Sequence, residues 1–317
     1  MANAIKTFGN LCTKTQKELK RYLYGVLTGV GYKPIVGDGF IYAKGATPIL
    51  LTAHMDTVHK VQVKKYTTYK KGGKTIVTAK DGIGGDDRCG IYMILQTIKD
   101  GYRPSILFCE DEEIGGVGSR KFCESKYIDD LKEMKYLIEL DRMNGNDAVF
   151  YDCDNKEFTQ FILEYTGYEE NWGSFSDISH LSPACGVASV NLSCGYYNPH
   201  TTKEYVVFEE MENTIKVVEK LLETVCEKFE YVEKLNYYGA GYYYGYYDDN
   251  DFYSYYSNGN QYVTKSYKKY LEVTYYDGQG KEQIGYGVGN SENECIVDFF
   301  MSNPNVCWND VVDYDFY

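Results

Sequence analysis

The sequence contains no apolar run close to the roughly 20 residues that a membrane-spanning helix needs, so we expect no membrane segment. Residues 1–10 lack a charged start followed by an apolar run, which argues against a secretory signal peptide. The ten cysteines include no CxxC pair. Without signs of secretion, we interpret them as reduced thiols of a cytoplasmic protein rather than as a disulfide framework.

Positive charge is scarce: 33 lysines and arginines stand against 46 aspartates and glutamates, for a net charge of -13. A protein that binds nucleic acid needs a basic face for the phosphates, so nucleic acid is not the expected partner. Hydrophobic residues make up 44% of the 317 positions, which is enough for a globular core. A chain of this length can form one large α/β domain, or one domain with a smaller appendage.

The composition changes near residue 230. Strand and helix signals alternate over residues 1–230, whereas residues 231–317 hold 19 of the 35 tyrosines, together with 13 acidic residues and 5 lysines. The segment 237–247 consists only of Tyr, Gly and Ala and is low in complexity. Strand-like alternation returns at 270–276, and 294–300 could be a short helix or strand. We therefore predict one domain over 1–230 and a small Tyr-rich, acidic appendage, β or irregular, over 231–317.

Apolar runs and helical periodicity predict the elements of the first region. Continuous apolar runs predict strands that are buried on both faces, at 48–53, 105–109, 136–140 and 187–192. Shorter strands are predicted at 33–36, 40–43, 61–69 and 75–79, and helices at 13–28, from just after Asp87, at 157–166 and at 208–229. This alternation favours an α/β fold with a mainly parallel mixed sheet and helices on both faces. In such sheets, ligands bind beyond the carboxyl ends of the strands.

Four chemically active residues come directly or shortly after the ends of these buried strands: His54, Glu112, Glu113 and Asp141. Taken singly they have ordinary explanations, since a His-x-Asp sequence occurs often by chance and an acidic run is usually solvated surface. Asp141 is less ordinary, because an unpaired carboxylate at the end of an apolar strand costs free energy. Asp86 could simply cap the following helix, and His200 stands in an exposed-loop context.

As a set, these residues match the needs of a site for two divalent ions. Two ions held about 3.5–4 Å apart need histidine and carboxylate ligands on each ion and one carboxylate that bridges them. A further carboxylate that binds neither ion is needed as the general base. In addition, Asp56 is placed to accept the second N–H of His54, as carboxylates near histidine ligands usually do.

Five sequence blocks occur in the order typical of a known group of enzymes: TAHMDTV (52–58), GGDDRCG (84–90), EDEEIGGVGS (110–119), IELDR (138–142) and GYYNPHTTKEY (195–205). Through them the chain resembles the co-catalytic zinc aminopeptidases and the related peptidase T-like and aminoacylase-like metallohydrolases, over roughly residues 10–230. The resemblance implies a zinc-exopeptidase-like fold and hydrolysis of an amide bond by a water that bridges two metal ions. Zinc is the expected metal, although cobalt and manganese also suit such ligands.

The resemblance also implies a role for each residue at a matching position. It implies five metal ligands: His54 and Asp141 on one ion, Glu113 and His200 on the other, and Asp86 between the two. Asp56 would orient His54, and Glu112 would act as the general base that takes the proton of the water. The peptide bond between Asp86 and Asp87 is expected to be cis.

Substrate contacts are assigned less directly. The segment SDISH (176–180) resembles the Ser-Asp segment that lines the substrate pocket in zinc aminopeptidases, so His180 could contact the substrate or be an ordinary hydrogen-bonded loop histidine. Three further residues lie near the ligands in sequence and are candidate contacts for a substrate carbonyl or terminus: Arg142, Tyr196 and Tyr197. Core or surface packing is the more ordinary interpretation of each. His59 has no assigned role.

The chain departs from these relatives in the short intervals between the expected ligands. Only 59 positions separate Asp141 from His200, which leaves no room for the lid or dimerisation domain that peptidase T-like and aminoacylase-like relatives insert there. The interval between Asp56 and Asp86 is likewise too short for the small β domain of another branch. We therefore expect a lidless hydrolase, to which the relatives' substrate preference and oligomeric state cannot be transferred.

Three functions stay open on the sequence. The first is an exopeptidase that acts on short peptides, most simply from the amino end. The second is an amidase or deacylase that uses the same metals on N-acyl substrates, since both activities share the site chemistry. The third is a non-catalytic binding or assembly protein. The intact general base Glu112 argues against this third function, but the Tyr-rich tail could self-associate or bind a protein partner.

Overall fold

The computed structural model describes residues 2–234, 269–277, 279–289 and 311–316, and the single positions 295, 299, 303 and 306. The chain falls into two compact units, Met1–Lys234 and Leu235–Tyr317, each of which is described by itself. The Tyr-rich stretch 237–247 and most of the predicted element at 294–300 lie outside the described residues. Within the described part of the chain, no helix is long and apolar enough to cross a membrane.

Strands and helices alternate along most of the first unit. Its strands are β1 (Ile35–Gly37), β2 (Phe40–Ala43), β3 (Thr47–His54), β4 (Tyr66–Lys71), β5 (Lys74–Ala79), β6 (Pro104–Cys109), β7 (Tyr136–Arg142), β8 (Asp147–Val149), β9 (Glu169–Asn171), β10 (Ser189–Ser193), β11 (Tyr196–Tyr197) and β12 (Tyr205–Val207). Its helices are α1 (Ala2–Cys12), α2 (Gln16–Gly29), α3 (Gly85–Lys99), α4 (Val117–Cys123), α5 (Ile128–Leu131), α6 (Lys156–Thr166), α7 (Ile178–Cys185) and α8 (Phe208–Glu223). The sequence did not predict α1, α4, α5, α7, β8, β9, β11 or β12.

The larger sheet of this unit has eight strands in the order β1-β2-β6-β3-β7-β10-β8-β9. At its centre, β3 pairs parallel with β6 and β7, and β10 pairs parallel with β7. Farther out, β2 and β8 pair antiparallel with β6 and β10. The sheet is therefore mixed but mainly parallel, which confirms the predicted fold class. Because the central strands run in the same direction, their carboxyl ends lie at one edge of the sheet.

Side chains of the central strands alternate between two cores, one on each face of the sheet. In β3, Ile49 and Leu51 belong to the core that contains residues of α1, α2, α3, α6 and α8, whereas Leu50 belongs to the core that contains residues of α4, α5 and α7. All three side chains are at most 2% exposed. Helices thus cover both faces of the sheet, and the strand is buried on both sides, as its continuous apolar run predicted.

A smaller antiparallel sheet in the same unit has the strand order β11-β12-β5-β4. Its hairpin β4–β5, formed from the strands predicted at 61–69 and 75–79, turns at Gly72 and Gly73, and both glycines have positive φ, at 57° and 80°. The first strand of the hairpin begins at Tyr66 rather than at residue 61. Strand β12 joins this sheet by pairing with β5, so that Val206 lies opposite Val77. Because β5 is followed by α3 along the chain, this pairing brings the segment after β11 close to the start of α3.

The amino-terminal region differs from the prediction. Helix α1 was not expected, although Phe8 and Leu11 on this helix are only 0% and 1% exposed and fill the larger core. Helix α2 begins at Gln16 rather than near residue 13. The reason is a capping box, in which the side chain of Thr15 accepts the N–H of Glu18 while the Glu18 carboxylate accepts the N–H of Thr15.

The last helix of the first unit is shorter than predicted. Helix α8 ends at Glu223 rather than near residue 229. Phe229 instead donates its N–H to the carbonyl of Lys135 and accepts the N–H of Ala188, each at 2.8–2.9 Å. Its ring also packs against Phe158, with ring centroids 5.2 Å apart. These contacts with the body of the unit replace the last helical turns.

The described part of the second unit is a three-stranded antiparallel sheet. Its strands are β13 (Lys269–Tyr276), β14 (Glu282–Gly289) and β15 (Val311–Phe316), in the order β14-β13-β15. Strand β13 matches the strand predicted at 270–276. Leu271 and Val273 are buried and pack with Cys295 and Phe299. Most of the described residues of the appendage therefore lie in β-strands, whereas Cys295 and Phe299 are helical.

Gly90 allows α3 to lie close to β7. A Cβ at this position would come within 1.8 Å of the Leu140 carbonyl oxygen and within 2.7 Å of both carboxylate oxygens of Asp87. Because the backbone of a central strand cannot move aside, we expect Gly90→Ala to lower the free energy of unfolding by about 2 kcal/mol or more. Urea unfolding of the purified protein measures this change.

Gly25→Ala is the matched control for this substitution. Gly25 lies on the exposed side of α2, and apart from the adjacent helix backbone no atom of the described residues lies within 4 Å of an added Cβ. Alanine should therefore keep the stability or raise it by up to about 1 kcal/mol. If Gly90→Ala were no more destabilising than Gly25→Ala, the close approach of α3 to β7 would be wrong.

Candidate metal centre

The structure brings together side chains from five parts of the first unit, at the carboxyl edge of its large sheet. They are His54 and Asp56 at and after the end of β3, Asp86 at the start of α3, Glu112 and Glu113 after β6, Asp141 near the end of β7, and His200 between β11 and β12. The side chain of His200 is 56% exposed, whereas the others are at most 13% exposed. The cluster therefore opens to solvent on the side of His200.

Asp86 lies at the centre of this cluster. Its Oδ1 is 3.0 Å from Nε2 of His54, and its Oδ2 is 3.2 Å from Nε2 of His200. Nε2 of His54 is also 3.4 Å from Oδ1 of Asp141, and Nε2 of His200 is 3.1 Å from Oε2 of Glu113. The cluster thus consists of two groups, each with one histidine and one carboxylate of its own, which share the carboxylate of Asp86.

Asp56 holds His54 and the residues that follow β6 in place. Its Oδ1 lies 3.2 Å from Nδ1 of His54 and accepts the N–H of Glu112 at 3.0 Å. Its Oδ2 accepts the N–H of Glu113, also at 3.0 Å. When Nδ1 of His54 donates to Asp56, its Nε2 carries a lone pair that faces the shared carboxylate of Asp86. This is the tautomer that a histidine ligand needs.

The peptide bond between Asp86 and Asp87 is cis, as the resemblance implied. Asp87 is buried, and its Oδ1 accepts the N–H of Gly90 at 2.8 Å while its Oδ2 accepts the N–H of His54 at 3.1 Å. His54, Asp87 and Asp141 also lie close enough together to hold a metal ion. Because both oxygens of Asp87 already accept backbone N–H groups, we interpret Asp87 as a support for the backbone of His54 rather than as a ligand.

The neighbouring carboxylates favour protonated histidines in the absence of any other cation. Burial lowers the pKa of His54, but the nearby carboxylates, that of Asp141 foremost, outweigh burial and raise the pKa well above its ordinary value. Hydrogen bonds with Asp86 and Glu113 raise the pKa of His200 to about 11. The two histidines thus supply the positive charge that the cluster would otherwise lack.

The carboxylates of the cluster are more numerous than these positive charges. Burial raises the pKa of Glu112 well above its ordinary value, and the negative charges of Asp141 and Glu113 raise it further. Burial and the charge of Asp86 raise the pKa of Glu113 to about 7. Oε1 of Glu113 and Oδ1 of Asp141 are buried and accept no hydrogen bond from the described residues. Carboxylate oxygens without a hydrogen-bond donor, together with two imidazole nitrogens, are ligand atoms that fit divalent metal ions.

Two predicted substrate contacts point to partners outside the cluster. Nε of Arg142 donates to Asp147 at 3.3 Å, and the hydroxyl of Tyr197 donates to Glu210 at 2.6 Å. The ring of Tyr197 also stacks on that of Tyr205, with centroids 5.1 Å apart. Packing, the more ordinary interpretation of both residues, accounts for these contacts.

The other two candidates for substrate contact have different surroundings. The hydroxyl of Tyr196 donates to the backbone carbonyl of Asp141 at 2.7 Å, so it supports the end of β7. The ring of His180 packs edge-on against Phe175, with centroids 5.0 Å apart, and lies against Gly116 in the loop after β6. Nε2 of His180 is buried and has no hydrogen-bond partner among the described residues. His180 therefore stays a candidate substrate contact.

Three residues that contact the cluster were not singled out from the sequence. Ser176 donates its hydroxyl to Oδ2 of Asp141 at 3.0 Å, and Asn191 accepts the N–H of Asp141 at 2.9 Å. Glu204 accepts the N–H of Asp86 at 3.0 Å. Ser176 and Glu204 fall within segments that carried the resemblance, but their partners lie 35 and 118 positions away. The resemblance did not assign a role to either residue, and the local sequence gives no sign of partners at such separations.

The model of peptidase family M28 matches residues 41–277, which is more than half of the chain. The search of curated proteins found no match. Similar solved structures include the aminopeptidase PepT from Bacillus cereus, with 16% identity and a TM-score of 0.56 over 69% of this chain and 97% of that one. A tripeptidase from Staphylococcus aureus and an aminopeptidase from the archaeon Desulfurococcus kamchatkensis each have 13% identity and a TM-score of 0.54. These two matches cover 69% and 70% of this chain, and 97% and 95% of their own chains, and at such identities they show a shared fold.

A divalent ion that binds in this cluster must displace protons from it. The raised pKa of His54, and that of His200 at about 11, favour the protonated imidazoles when no ion is bound. Metal binding requires neutral imidazoles and ionised carboxylates, so zinc binding at pH 7 should release protons from the histidines and from Glu113, and the affinity should rise with pH. Isothermal titration calorimetry in buffers of different ionisation enthalpy counts the released protons.

His200→Asn provides the comparison for this measurement. The variant lacks one of the two imidazoles, so the number of released protons should fall by about one. Zinc binding whose heat does not depend on the buffer would mean that the histidines are not the groups displaced.

Proposed function

The chain belongs to peptidase family M28, and from this we propose that it removes amino-terminal residues from short peptides with the help of two divalent metal ions. The observation that carries the proposal is the position of Asp86. Its two carboxylate oxygens face two different histidines, His54 at 3.0 Å and His200 at 3.2 Å. A carboxylate in this position can bridge two ions, each of which also has a histidine ligand.

We assign the ligands as two histidines and three carboxylates: His54 and Asp141 on one ion, Glu113 and His200 on the other, and Asp86 on both. Nitrogen and oxygen donors without sulfur suit zinc, with cobalt and manganese as alternatives. When bound, the ions polarise the peptide carbonyl and lower the pKa of the attacking water towards neutrality. Asp56 acts as a positioning residue, because it contacts Nδ1 of His54 and leaves Nε2 free to bind.

Glu112 is assigned as the general base. Its Oε2 lies 3.9 Å from Nε2 of His54, and its backbone N–H is bound by Asp56, so its carboxylate lies beside the ligands without replacing one of them. There it takes a proton from the attacking water and passes it to the leaving amine. A pKa raised by burial suits a group that must both take up and return a proton.

Action on short peptides from the amino end is supported by the similar structures and by the absence of an inserted domain. Two of the similar structures are aminopeptidases and one is a tripeptidase by name. Between Asp141 and His200 the chain forms only short elements of the hydrolase unit, from β8 to β11. The exposed side chain of His200 lies at the open side of the cluster, where a peptide can approach.

For residues 231–317 we propose an attachment role, either through self-association or through a protein partner. The support is compositional, since tyrosine side chains combine a large apolar ring with a hydroxyl that can hydrogen-bond at an interface. Every residue assigned to the site lies within residues 1–230, which we propose as the hydrolase domain.

Replacing Glu112 with glutamine should abolish peptide hydrolysis but leave metal binding intact. Glutamine has the same shape but cannot take up the proton, so the rate should fall at least about 100-fold while zinc still binds. The measurement is mass spectrometry of a mixture of di-, tri- and longer peptides after incubation with the zinc-loaded protein. Stepwise loss of amino-terminal residues should occur with the wild-type protein and be absent with Glu112→Gln.

Glu110→Gln is the matched control, because Glu110 also lies just after β6 but pairs with Lys20 at 2.5 Å instead of facing the cluster. This variant should cleave peptides at the wild-type rate. Failure of the wild-type protein to cleave any peptide despite two bound zinc ions would refute the peptidase proposal. Cleavage of N-acyl amino acids in place of peptides would favour the deacylase instead.

A further inference from the structure

The carboxylate of Glu204 is completely buried and forms three hydrogen bonds, two with the turn at the start of α3 and one with His59. Its Oε1 accepts the N–H of Asp86 at 3.0 Å. Its Oε2 accepts the N–H of Gly84 at 2.7 Å and lies 2.6 Å from Nε2 of His59. The side chain of Glu204 is 0% exposed and that of His59 is 10% exposed. A buried carboxylate with this many donors is fixed in one orientation.

Glu204 holds the turn that leads into the helical part of α3. Asp86 and Asp87 have non-helical backbone angles, so the helical part of α3 begins after them, and Asp87 caps it by accepting the N–H of Gly90 at 2.8 Å. Gly84, just before this turn, has a φ of 68°, a left-handed conformation that glycine tolerates. Glu204 accepts two of the N–H groups in this turn, although it comes from a distant part of the chain. Gly85 permits the approach, because a Cβ there would lie 2.8 Å from Val206 and 3.3 Å from Oε1 of Glu204.

The backbone of Glu204 is attached in turn to the loop that carries His200. Its N–H donates to the carbonyl of Thr201 at 3.2 Å, and its carbonyl accepts the hydroxyl of Thr78 in β5 at 3.0 Å. Glu204 therefore joins the His200 loop to the turn that carries Asp86, and these are the two segments whose side chains meet at 3.2 Å. A shift of either segment changes the distance between the two proposed ligands.

His59 completes this arrangement from a third segment. Its ring contacts Oε2 of Glu204 through Nε2 and lies over Gly82, where a Cβ would come within 2.1 Å of the ring. Without His59, Oε2 would lose one of its two hydrogen bonds, and the Glu204 side chain would be free to turn away from Gly84. This gives a function to a histidine that the sequence left without a role.

We propose that Glu204, supported by His59, is a positioning residue that sets the geometry of Asp86 relative to His200 and thereby the affinity of the cluster for divalent ions. The inference rests on the proposed function, because it requires ions to bind at Asp86. Glu204 touches neither the ions nor the substrate. It acts through the backbone N–H of Asp86, and such supporting contacts typically contribute 10–100-fold to metal affinity.

Glu204→Gln is the direct test. Glutamine has the same shape, but its NH2 group must face the N–H of either Asp86 or Gly84, so one hydrogen bond becomes a contact between two donors. We expect zinc to bind about 10–100-fold more weakly, as measured by competition with a chelating indicator. With cobalt in place of zinc, the visible absorption bands of the bound ions should shift, because the position of Asp86 changes.

Glu209→Gln is the matched control. The carboxylate of Glu209 also bonds a backbone N–H, that of Thr75 at 2.6 Å, together with the Thr75 hydroxyl and Lys70, and none of these partners in the described part of the chain lies in a segment that carries a ligand. If Glu204 only stabilised the fold, the two variants should resemble each other, with lower thermal stability and unchanged zinc affinity. Under the proposal, Glu209→Gln keeps wild-type zinc affinity and cobalt spectrum whereas Glu204→Gln does not.

Two variants of His59 keep the test decisive if Glu204→Gln fails to fold. His59→Ala should weaken zinc binding, and His59→Gln should restore much of it, since its NH2 group can still donate to Glu204. If Glu204→Gln folds and binds zinc as tightly as the wild-type protein, the proposal is overturned, whatever the protein's activity on peptides. If Glu204→Gln is unfolded, wild-type zinc affinity in His59→Ala overturns it instead. The two proposals can also fail separately. If the protein binds two ions with an affinity that depends on Glu204 but cleaves no peptide, the proposed peptidase activity is refuted and the positioning role of Glu204 is supported.

Discussion

Asp86 presents one carboxylate oxygen to His54 and the other to His200, and the arrangement of the whole site follows from keeping that carboxylate in place. The fold brings the two histidines from β3 and from the loop after β11, and it adds the carboxylates of Asp141 and Glu113 beside them. So much negative charge with little solvent is unfavourable for the protein alone and becomes favourable when divalent cations bind. This balance of charges supports the proposal that the cluster binds divalent ions.

The segments that carry the proposed ligands are fixed through their backbones by three buried or nearly buried acids. Asp56 accepts the N–H groups of the two glutamates after β6, Asp87 accepts that of His54, and Glu204 accepts that of Asp86. In each case the accepting carboxylate belongs to a different segment from the backbone that it holds. Movement of one segment is thereby resisted by another, which suits a site where ligand positions must be kept to within a fraction of an ångström.

Prediction from the sequence succeeded where the signal is local. Strands β3, β6 and β7 are continuous apolar runs, and the candidate site residues were grouped because each lies in a short block that resembles a block of the zinc aminopeptidases. The sequence did not predict hydrogen bonds whose partner is distant in the chain. Glu204 lies 118 positions from Asp86, and the pairing of β12 with β5 that brings them together exists only in the folded chain. Arg142 stands next to Asp141 in sequence, but its side chain bonds Asp147 instead of extending the site.

The most direct test of two ions that share Asp86 is anomalous X-ray diffraction from crystals of the zinc-loaded protein, measured on both sides of the zinc absorption edge. Two zinc peaks about 3.5–4 Å apart are expected, one beside His54 and Asp141 and the other beside His200 and Glu113, with the carboxylate of Asp86 between them. A single peak, or two peaks that do not share Asp86, would contradict the two-ion site.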